Sequence, residues 1–144
     1  MGINKLEITG LFPGRMRRML EDISLDFDQL EEVRLRCGQP VLLRVCGREM
    51  GIDENGKLVD LCEGLFKQDK WKKLENINEK ELKDTLEIMG GFSLYAAEEE
   101  LRQGFFTVRG GHRIGVAGRV ILKDQKIMGI KSAAFLNLRV AHEI

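Results

Sequence analysis

The fold is decided by the stretch Leu30-Glu31-Glu32-Val33-Arg34-Leu35-Arg36-Cys37-Gly38-Gln39-Pro40-Val41-Leu42-Leu43-Arg44-Val45. Its first half places Val33 and Leu35 between charged residues, an alternation that predicts a half-buried β-strand. The residues 37–40 contain Gly and Pro and predict a turn. Apolar residues alternate again from Val41 to Val45, so the stretch predicts two strands that lie side by side.

Helices are predicted before and after this pair of strands along the chain. Upstream, apolar residues at helical spacing indicate a helix over residues 13–23, with Pro13 in its first turn and three arginines on its outer face: Arg15, Arg17 and Arg18. Downstream, Asn78 and Glu81 have the spacing of a capping box, which predicts a helix that ends at Gly90-Gly91. A further helix is predicted from Ser93 to Gly104.

Short strands make up most of the remaining chain. Asn55-Gly56 predicts a type I′ hairpin turn between strands near 49–53 and 57–60. Near the C-terminal end, strands are predicted over residues 105–109, 112–122, 127–131 and 136–141. If Gly110-Gly111 forms a two-residue turn, Arg109 lies opposite His112 and Val108 opposite Arg113.

Size and composition bound the architecture and the class of protein. The chain has 144 residues, of which 43% are hydrophobic, and this suits one domain with an ordinary core. We therefore predict a single two-layer α+β domain over residues 1–144, with 1–60 and 77–144 as its subregions. Its sheet should be mixed or antiparallel, with helices mainly on one side. Three cysteines without a C-x-x-C pair fit a reducing compartment, and no apolar run is long enough to span a membrane.

No complete catalytic or metal site is visible in the sequence. A phosphate-binding P-loop needs Gly-Lys followed by Ser or Thr, and no such run occurs. The acidic residues 98–100 point in different directions around a helix, so they do not converge on one metal ion. His112 and His142 have no metal-ligand spacing with each other or with the cysteines. We expect no cofactor or metal in this chain.

The glycine-rich stretch 109–119 is the candidate binding region. Strand geometry places Arg113, Gly115, Ala117 and Arg119 on one face, two arginines separated by small residues. Two interpretations stay open: the small residues receive a helix of this domain, or the face docks a neighbouring domain or senses an anion. Arg113 and Arg119 are the main candidates, and Arg109 and His112 the weaker ones, because arginine binds phosphate or carboxylate bidentately.

A second basic region surrounds the only tryptophan, Trp71. Four lysines flank it: Lys67, Lys70, Lys72 and Lys73. A nucleic-acid-binding module that uses these lysines and the strand from Arg113 to Arg119 is the alternative function. The 23 basic residues are balanced by 23 acidic ones, and such a neutral chain argues against nucleic acid as a partner.

Three segments resemble the N-terminal part of the stage III sporulation protein AA family. They are residues 30–40, residues 93–104, and residues 110–119 extended by 137–144. Members of that family are similar to the ring-forming, commonly hexameric ATPases of type II secretion and type IV pilus systems. Residues 34–48 are also similar to the paired strands of the PAS-like N-terminal domain of those ATPases.

The resemblance carries functional expectations that the residues alone do not. It implies an N-terminal regulatory or assembly domain of an ATPase that acts on the channel between mother cell and forespore during endospore formation. Its partners would be its own C-terminal ATPase domain, further subunits of a hexameric ring and membrane channel proteins. The protein would be cytoplasmic and held at the mother-cell membrane by those partners. ATP and Mg²⁺ would bind the full-length protein, whose ATPase domain lies outside these 144 residues, so the chain itself is expected to be non-catalytic.

Overall fold

The computed structural model describes residues 5–61, 73–90, 105–117, 120–123, 126–130 and 135–142. The α-helices of these residues are α1 (Lys5–Thr9), α2 (Gly14–Asp22) and α3 (Glu79–Gly90), and a short 3-10 turn spans Phe27–Gln29. The helix predicted over residues 13–23 is confirmed as α2. It begins after Pro13, which is extended, and it buries Met16 and Leu20, one turn apart. The helix predicted over 93–104 lies outside the described residues.

Nine strands in the described part of the chain form two antiparallel sheets. They are β1 (Leu30–Arg36), β2 (Leu42–Val45), β3 (Arg48–Ile52), β4 (Leu58–Asp60), β5 (Phe105–Thr107), β6 (Arg113–Ala117), β7 (Val120–Lys123), β8 (Lys126–Ile130) and β9 (Phe135–Arg139). Seven of them make one sheet in the order β4-β3-β2-β1-β9-β6-β5, while β7 and β8 pair with each other. The predicted α+β class and the antiparallel alternative for the sheet are therefore confirmed. The PAS-like character stays a prediction.

One face of the large sheet carries the hydrophobic core. Val33 and Leu35 of β1, Leu43 of β2 and Ile114 of β6 are almost fully buried, together with Leu138 of β9. Residues of all three helices pack into the same core, among them Ile8, Met16, Leu82 and Leu86. Because side chains alternate along a strand, the residues between these core positions point to the opposite face, away from the described helices. We call that opposite face the outer face.

The capping box predicted for α3 is confirmed and is joined to α2. The Glu81 N–H donates to Asn78 Oδ1 at 2.8 Å, and the Asn78 N–H donates to Glu81 Oε1 at 3.1 Å. Arg15 forks onto the same carboxylate, with Nε 3.0 Å from Oε2 and Nη2 2.7 Å from Oε1. Arg15 is predicted on the solvent-facing side of α2, and the structure shows that it also links α2 to α3. Burial would raise the pKa of Glu81, but the hydrogen bonds from Arg15 and the Asn78 backbone lower it below its ordinary 4.5.

Both hairpin loops are one residue longer than the predicted two-residue turns, so both predictions are wrong. Between β3 and β4, the Asp53 N–H donates to the Lys57 carbonyl at 2.9 Å and the Gly56 N–H to the Asp53 carbonyl at 3.0 Å. Between β5 and β6, Val108 and His112 are joined by the same pattern of bonds. Thr107 therefore lies opposite Arg113, where the prediction had Val108. Each loop thus has three residues. The Asp53 carboxylate favours the first, since its Oδ1 accepts backbone N–H groups from Asn55 and Lys57 at 2.9 Å each.

The long strand predicted over residues 112–122 is instead two strands in different sheets. β6 pairs with β5 and β9, whereas β7 pairs with β8. Apolar alternation continues through both strands, so periodicity alone does not show where the pairing partner changes. The strand β9 inserts between β1 and β6, so residues 30–36 and residues 135–139 are neighbours in one sheet.

Candidate functional site

The outer face is organised in two rows of side chains that cross the sheet. Strand register sets each row, because residues directly opposite each other on adjacent strands are neighbours on one face. The first row runs, from β3 to β5, through Glu49, Arg44, Glu32, Arg139, Arg113 and Thr107. The second row runs through Gly51, Leu42, Arg34, Asn137, Gly115 and Phe105. Basic side chains outnumber carboxylates in these rows.

The charges on the β1–β3 side of the outer face are paired. Arg34 donates to Glu49 Oε1 at 2.8 Å and to Glu32 Oε2 at 3.3 Å. The hydrogen bond to Glu32 is the main cause that raises the pKa of Arg34 above its ordinary value. Arg44 lies 3.5 Å from a carboxylate oxygen of Glu31. This half of the face is therefore close to neutral.

The β9–β6 side of the outer face carries two arginines, Arg113 and Arg139. Arg113 and Arg139 lie directly opposite each other on adjacent strands, and both side chains are exposed. Neither makes an ion pair with a carboxylate in the described part of the chain. Arg113 lies over the ring of Phe105 instead, with 5.4 Å from its guanidinium carbon to the ring centroid. Like charges placed opposite each other destabilise a sheet, so this pair is a local cost to folding.

The second row passes next to the arginine pair. Gly115 stands between Asn137 on one side and Phe105 on the other. Phe105 is 40% exposed. The Oδ1 atom of Asn137 is buried and accepts no hydrogen bond from the described residues. We call these five residues, Phe105, Arg113, Gly115, Asn137 and Arg139, the arginine notch.

A second arginine–aromatic contact lies at the far end of β1. The guanidinium carbon of Arg36 is 5.1 Å from the ring centroid of Phe135. Beside it is a shallow pocket of about 150 Å³, lined by Arg34, Arg36, Gln39, Pro40 and Leu42. Arg34 is already bonded to two carboxylates, so Arg36 is the one arginine of this pocket without a described carboxylate partner.

His112 holds the β5–β6 turn against both ends of the described chain. It is 1% exposed, and its Nε2 lies 2.9 Å from Glu7 Oε1 in α1. Its Nδ1 accepts the backbone N–H of Ala141 at 2.9 Å. Because Nδ1 is an acceptor, the neutral ring carries its proton on Nε2 and donates it to Glu7. His142 adds a further bond, with Nε2 2.7 Å from the Leu30 carbonyl.

Comparison with known proteins identifies the family of this domain. Residues 3–144 match the family model described as "Sporulation stage III, protein AA". The chain belongs to this sporulation family. The Stage III sporulation protein AA of Bacillus subtilis (strain 168) is 30% identical over 138 residues, which are 95% of this chain and 38% of that protein. The chain thus spans well under half the length of this curated relative. No solved structure matches the chain.

Two of the three segments that resemble the sporulation family meet in the sheet. Residues 30–40 contain β1, and residues 110–119 with 137–144 contain β6 and the end of β9. In the sheet these strands are adjacent, in the order β1-β9-β6. The bond from Ala141 to His112 joins the two parts of the third segment. The remaining segment, 93–104, lies outside the described residues.

The structure places the predicted site residues in different environments. Arg109 and Arg113 are exposed, the first in the β5–β6 turn and the second on the outer face. His112 is buried with both ring nitrogens bonded, so neither nitrogen is free in this conformation. Arg119 lies outside the described residues. Gly115 faces away from the three described helices, whereas Ile114 faces the core.

Sequence reasoning missed Arg139, Asn137 and Phe105. The alternation of residues 136–141 placed Asn137 and Arg139 on one face, but periodicity did not show that β9 inserts beside β6.

The second basic region, around Trp71, is described only in part. Lys73 is described and exposed, while Lys67, Lys70, Trp71 and Lys72 lie outside the described residues.

The described ranges contain neither a metal-ligand cluster nor a helix that spans a membrane. Within them, no three His, Cys, Asp or Glu side chains are grouped so that they could share an ion. None of the described helices has both the length and the apolar character that crossing a bilayer requires.

Proposed function

We propose that this chain is the N-terminal, non-catalytic domain of a ring-forming, secretion-type ATPase that acts in endospore formation. Membership of the sporulation family supports the process, since the matched model covers residues 3–144. The share of the relative's length supports the domain assignment, because the chain corresponds to 38% of that protein. The remaining part of such a protein would hold ATP and Mg²⁺.

In this proposal the domain acts as a docking unit on the ATPase domain and on neighbouring subunits of a hexameric ring. The described helices α1, α2 and α3 pack on the core-bearing face of its sheet, and the exposed Phe105, Arg113 and Arg139 of the outer face suit contacts with other parts of the assembly. Arg113 and Arg119 are the proposed contacts to the motor domain, to the adjacent subunit or to nucleotide phosphates. A PAS-like arrangement of the sheet belongs to the same proposal.

The proposed cellular place follows from the proposed partners. The domain would work in the mother cell, on the cytoplasmic side of the membrane, and would reach the channel to the forespore through membrane channel proteins. The single observation that carries the whole proposal is the match to the family over nearly the full chain.

A domain exchange tests this function. The corresponding part of the Bacillus subtilis relative is replaced by this chain, and heat-resistant spores are counted. The purified chimera and the isolated chain are compared for ATP hydrolysis and for oligomeric mass. We expect the chimera to form spores, to hydrolyse ATP and to assemble, whereas the isolated chain hydrolyses none.

The matched controls separate folding from docking. Leu138→Asp places a charge in the core and should abolish spores by unfolding the domain. Arg18→Gln changes an exposed residue of α2, away from the outer face, and should have no effect. A chimera that is folded and stably expressed but makes no spores would refute the proposal, as would ATP hydrolysis by the isolated chain.

A further inference from the structure

We infer that the arginine notch binds an acidic segment of the same protein's remaining part, one in which a carboxylate stands next to an apolar side chain. This inference rests on the proposed function, because it names the surface and the chemistry by which the domain would dock. Its occupant is protein, and its anchoring group is a Glu or Asp side chain held between Arg113 and Arg139.

The arginine pair supplies the charge argument. At directly opposite positions the two Cβ atoms are about 5 Å apart, so the guanidinium groups repel each other unless an anion lies between them. Both side chains are exposed, and neither has a carboxylate partner within the described ranges. A local feature that costs stability without a gain elsewhere in the fold indicates a functional constraint. A carboxylate that bridges the pair turns the repulsion into two charge-assisted hydrogen bonds.

The neighbouring charges favour a side-chain carboxylate over a nucleic-acid strand. Glu32 and Glu49 lie in the same row as Arg139, and Glu32 is directly opposite it on β1. A nucleic-acid strand carries a phosphate at every nucleotide, so a strand laid across the sheet would also meet these carboxylates. A single side-chain carboxylate contacts the arginine pair alone. The chain as a whole has equal numbers of basic and acidic residues, which is unlike a general nucleic-acid binder.

The apolar part of the occupant is specified by Phe105. Phe105 is one of the few exposed large hydrophobic residues of the described chain, and Arg113 already rests on its ring. Gly115 lies directly opposite Phe105 and brings no side chain of its own to that ring. Asn137 Oδ1 is a buried acceptor that receives no hydrogen bond from the described residues. After a rotation of the Asn137 side chain, a donor of the partner would supply that bond.

The inference is tested by peptide binding. Overlapping fluorescein-labelled peptides are made to cover the part of the Bacillus subtilis relative that this chain does not match. Their binding to the chain is measured by fluorescence anisotropy at low and at high salt. We expect binding by peptides that combine a carboxylate with an apolar neighbour, and weaker binding at high salt because exposed charges are screened.

Matched variants locate the binding surface. Arg113→Gln and Arg139→Gln should each reduce the affinity about tenfold, as expected for the loss of a charge-assisted hydrogen bond. Phe105→Ser should weaken binding at both salt concentrations, because its contribution is apolar. Arg18→Gln removes the same charge from α2 and should leave the affinity unchanged. Arg139→Lys keeps the charge without the planar fork and should fall between Arg and Gln.

Several outcomes would overturn the inference. They are the absence of peptide binding at low salt, binding that ignores both arginine substitutions, and tighter binding of an oligothymidylate than of any peptide. Self-association of the chain that depends on Arg113 and Arg139, measured by sedimentation velocity, would also overturn it by showing a second copy as the occupant. If the unmodified chimera forms spores while no peptide binds, the proposed function stands and this inference fails. If a folded chimera forms no spores, the proposed function itself fails.

Discussion

The Nδ1 atom of His112 accepts the backbone N–H of Ala141 at 2.9 Å, and this bond fixes the segment after β9 to the β5–β6 turn. The other ring nitrogen of His112 lies 2.9 Å from Glu7 Oε1, so one buried side chain connects α1, the turn and residues 140–142. Val140 also donates to the Glu31 carbonyl at 2.9 Å. The end of the described chain is thus anchored at several points.

Replacement of His112 by phenylalanine should destabilise the domain by roughly 1–3 kcal/mol, because it removes the two hydrogen bonds that this buried side chain makes with the Ala141 N–H and with Glu7. The ring size is nearly kept, so the loss reports hydrogen bonding and not a cavity. Urea unfolding followed by circular dichroism measures the change. Arg109→Gln is the control, since Arg109 is an exposed residue of the same turn. Equal effects of the two substitutions would contradict the assigned role of His112.

Gly110→Ala should destabilise the domain by roughly 1–3 kcal/mol through strain at positive φ together with overlap. Gly110 has φ +96°, and an added Cβ would overlap the carboxylate of Glu7 and come within 2.8 Å of His112 Nε2. Gly111→Ala separates the two causes. Gly111 has φ +84°, but its Cβ would meet nothing closer than Ala141 Cβ at 3.9 Å. Thermal unfolding should therefore show a smaller loss for Gly111→Ala, and the reverse order would refute this account of the turn.

The sequence predicted elements better than connections. The α2 helix and the strand from Leu30 to Arg36 follow from local periodicity, and the capping box at Asn78 follows from spacing. Turn geometry depended on contacts that no local pattern contains. Asn55-Gly56 has the composition of a type I′ turn, yet the Asp53 carboxylate bonds two backbone N–H groups and gives a three-residue loop.

The candidate site was predictable only in part, for a topological reason. The face shared by Arg113 and Gly115 follows from the alternation of one strand. The partner of that face, Arg139 with Asn137, comes from a strand about two dozen residues later that inserts between β1 and β6. Long-range pairing of this kind is set by the closure of the whole sheet, and no short stretch of sequence encodes it.

The Glu81→Gln substitution should lower stability by about 1 kcal/mol at neutral pH, a modest figure because Arg15 is 40% exposed and the ion pair is screened. The pKa of Glu81 is lower in the folded state than its ordinary 4.5. Its contribution is therefore fully present above about pH 4.5 and is lost as the pH falls through the folded-state pKa. The difference between wild type and variant should shrink on acidification below pH 4.5. Glu87→Gln, at an exposed position of α3, is the control, and a constant difference from pH 7 to pH 3 would contradict the prediction.

The Arg139→Thr substitution should leave stability within about 0.5 kcal/mol of the wild type, because the repulsion by Arg113 that it removes is offset by the attraction of Glu32, which lies directly opposite Arg139 on β1. Added salt screens the repulsion and the attraction alike, so the difference should stay small at high salt. Chemical unfolding at two salt concentrations gives both quantities. Arg44→Thr is the comparison, since Arg44 is paired with Glu31 and its loss should not stabilise. If Arg139→Thr destabilises the domain as Arg44→Thr does, the two arginines do not repel each other.

Cys46→Asn should stabilise the domain by about 0.5–1 kcal/mol, because Cys46 occupies a conformation that costs an ordinary residue about that much or more. The β2–β3 hairpin has two loop residues, Cys46 with φ +50° and Gly47 with φ +74°, between the opposed residues Val45 and Arg48. These angles are those of a type I′ turn, for which Asn-Gly is the preferred pair. Cys37→Asn serves as the matched substitution, since Cys37 is half-buried against the core and should lose stability instead. Denaturant midpoints that move in the same direction for both variants would show that conformational strain at Cys46 is not the cause.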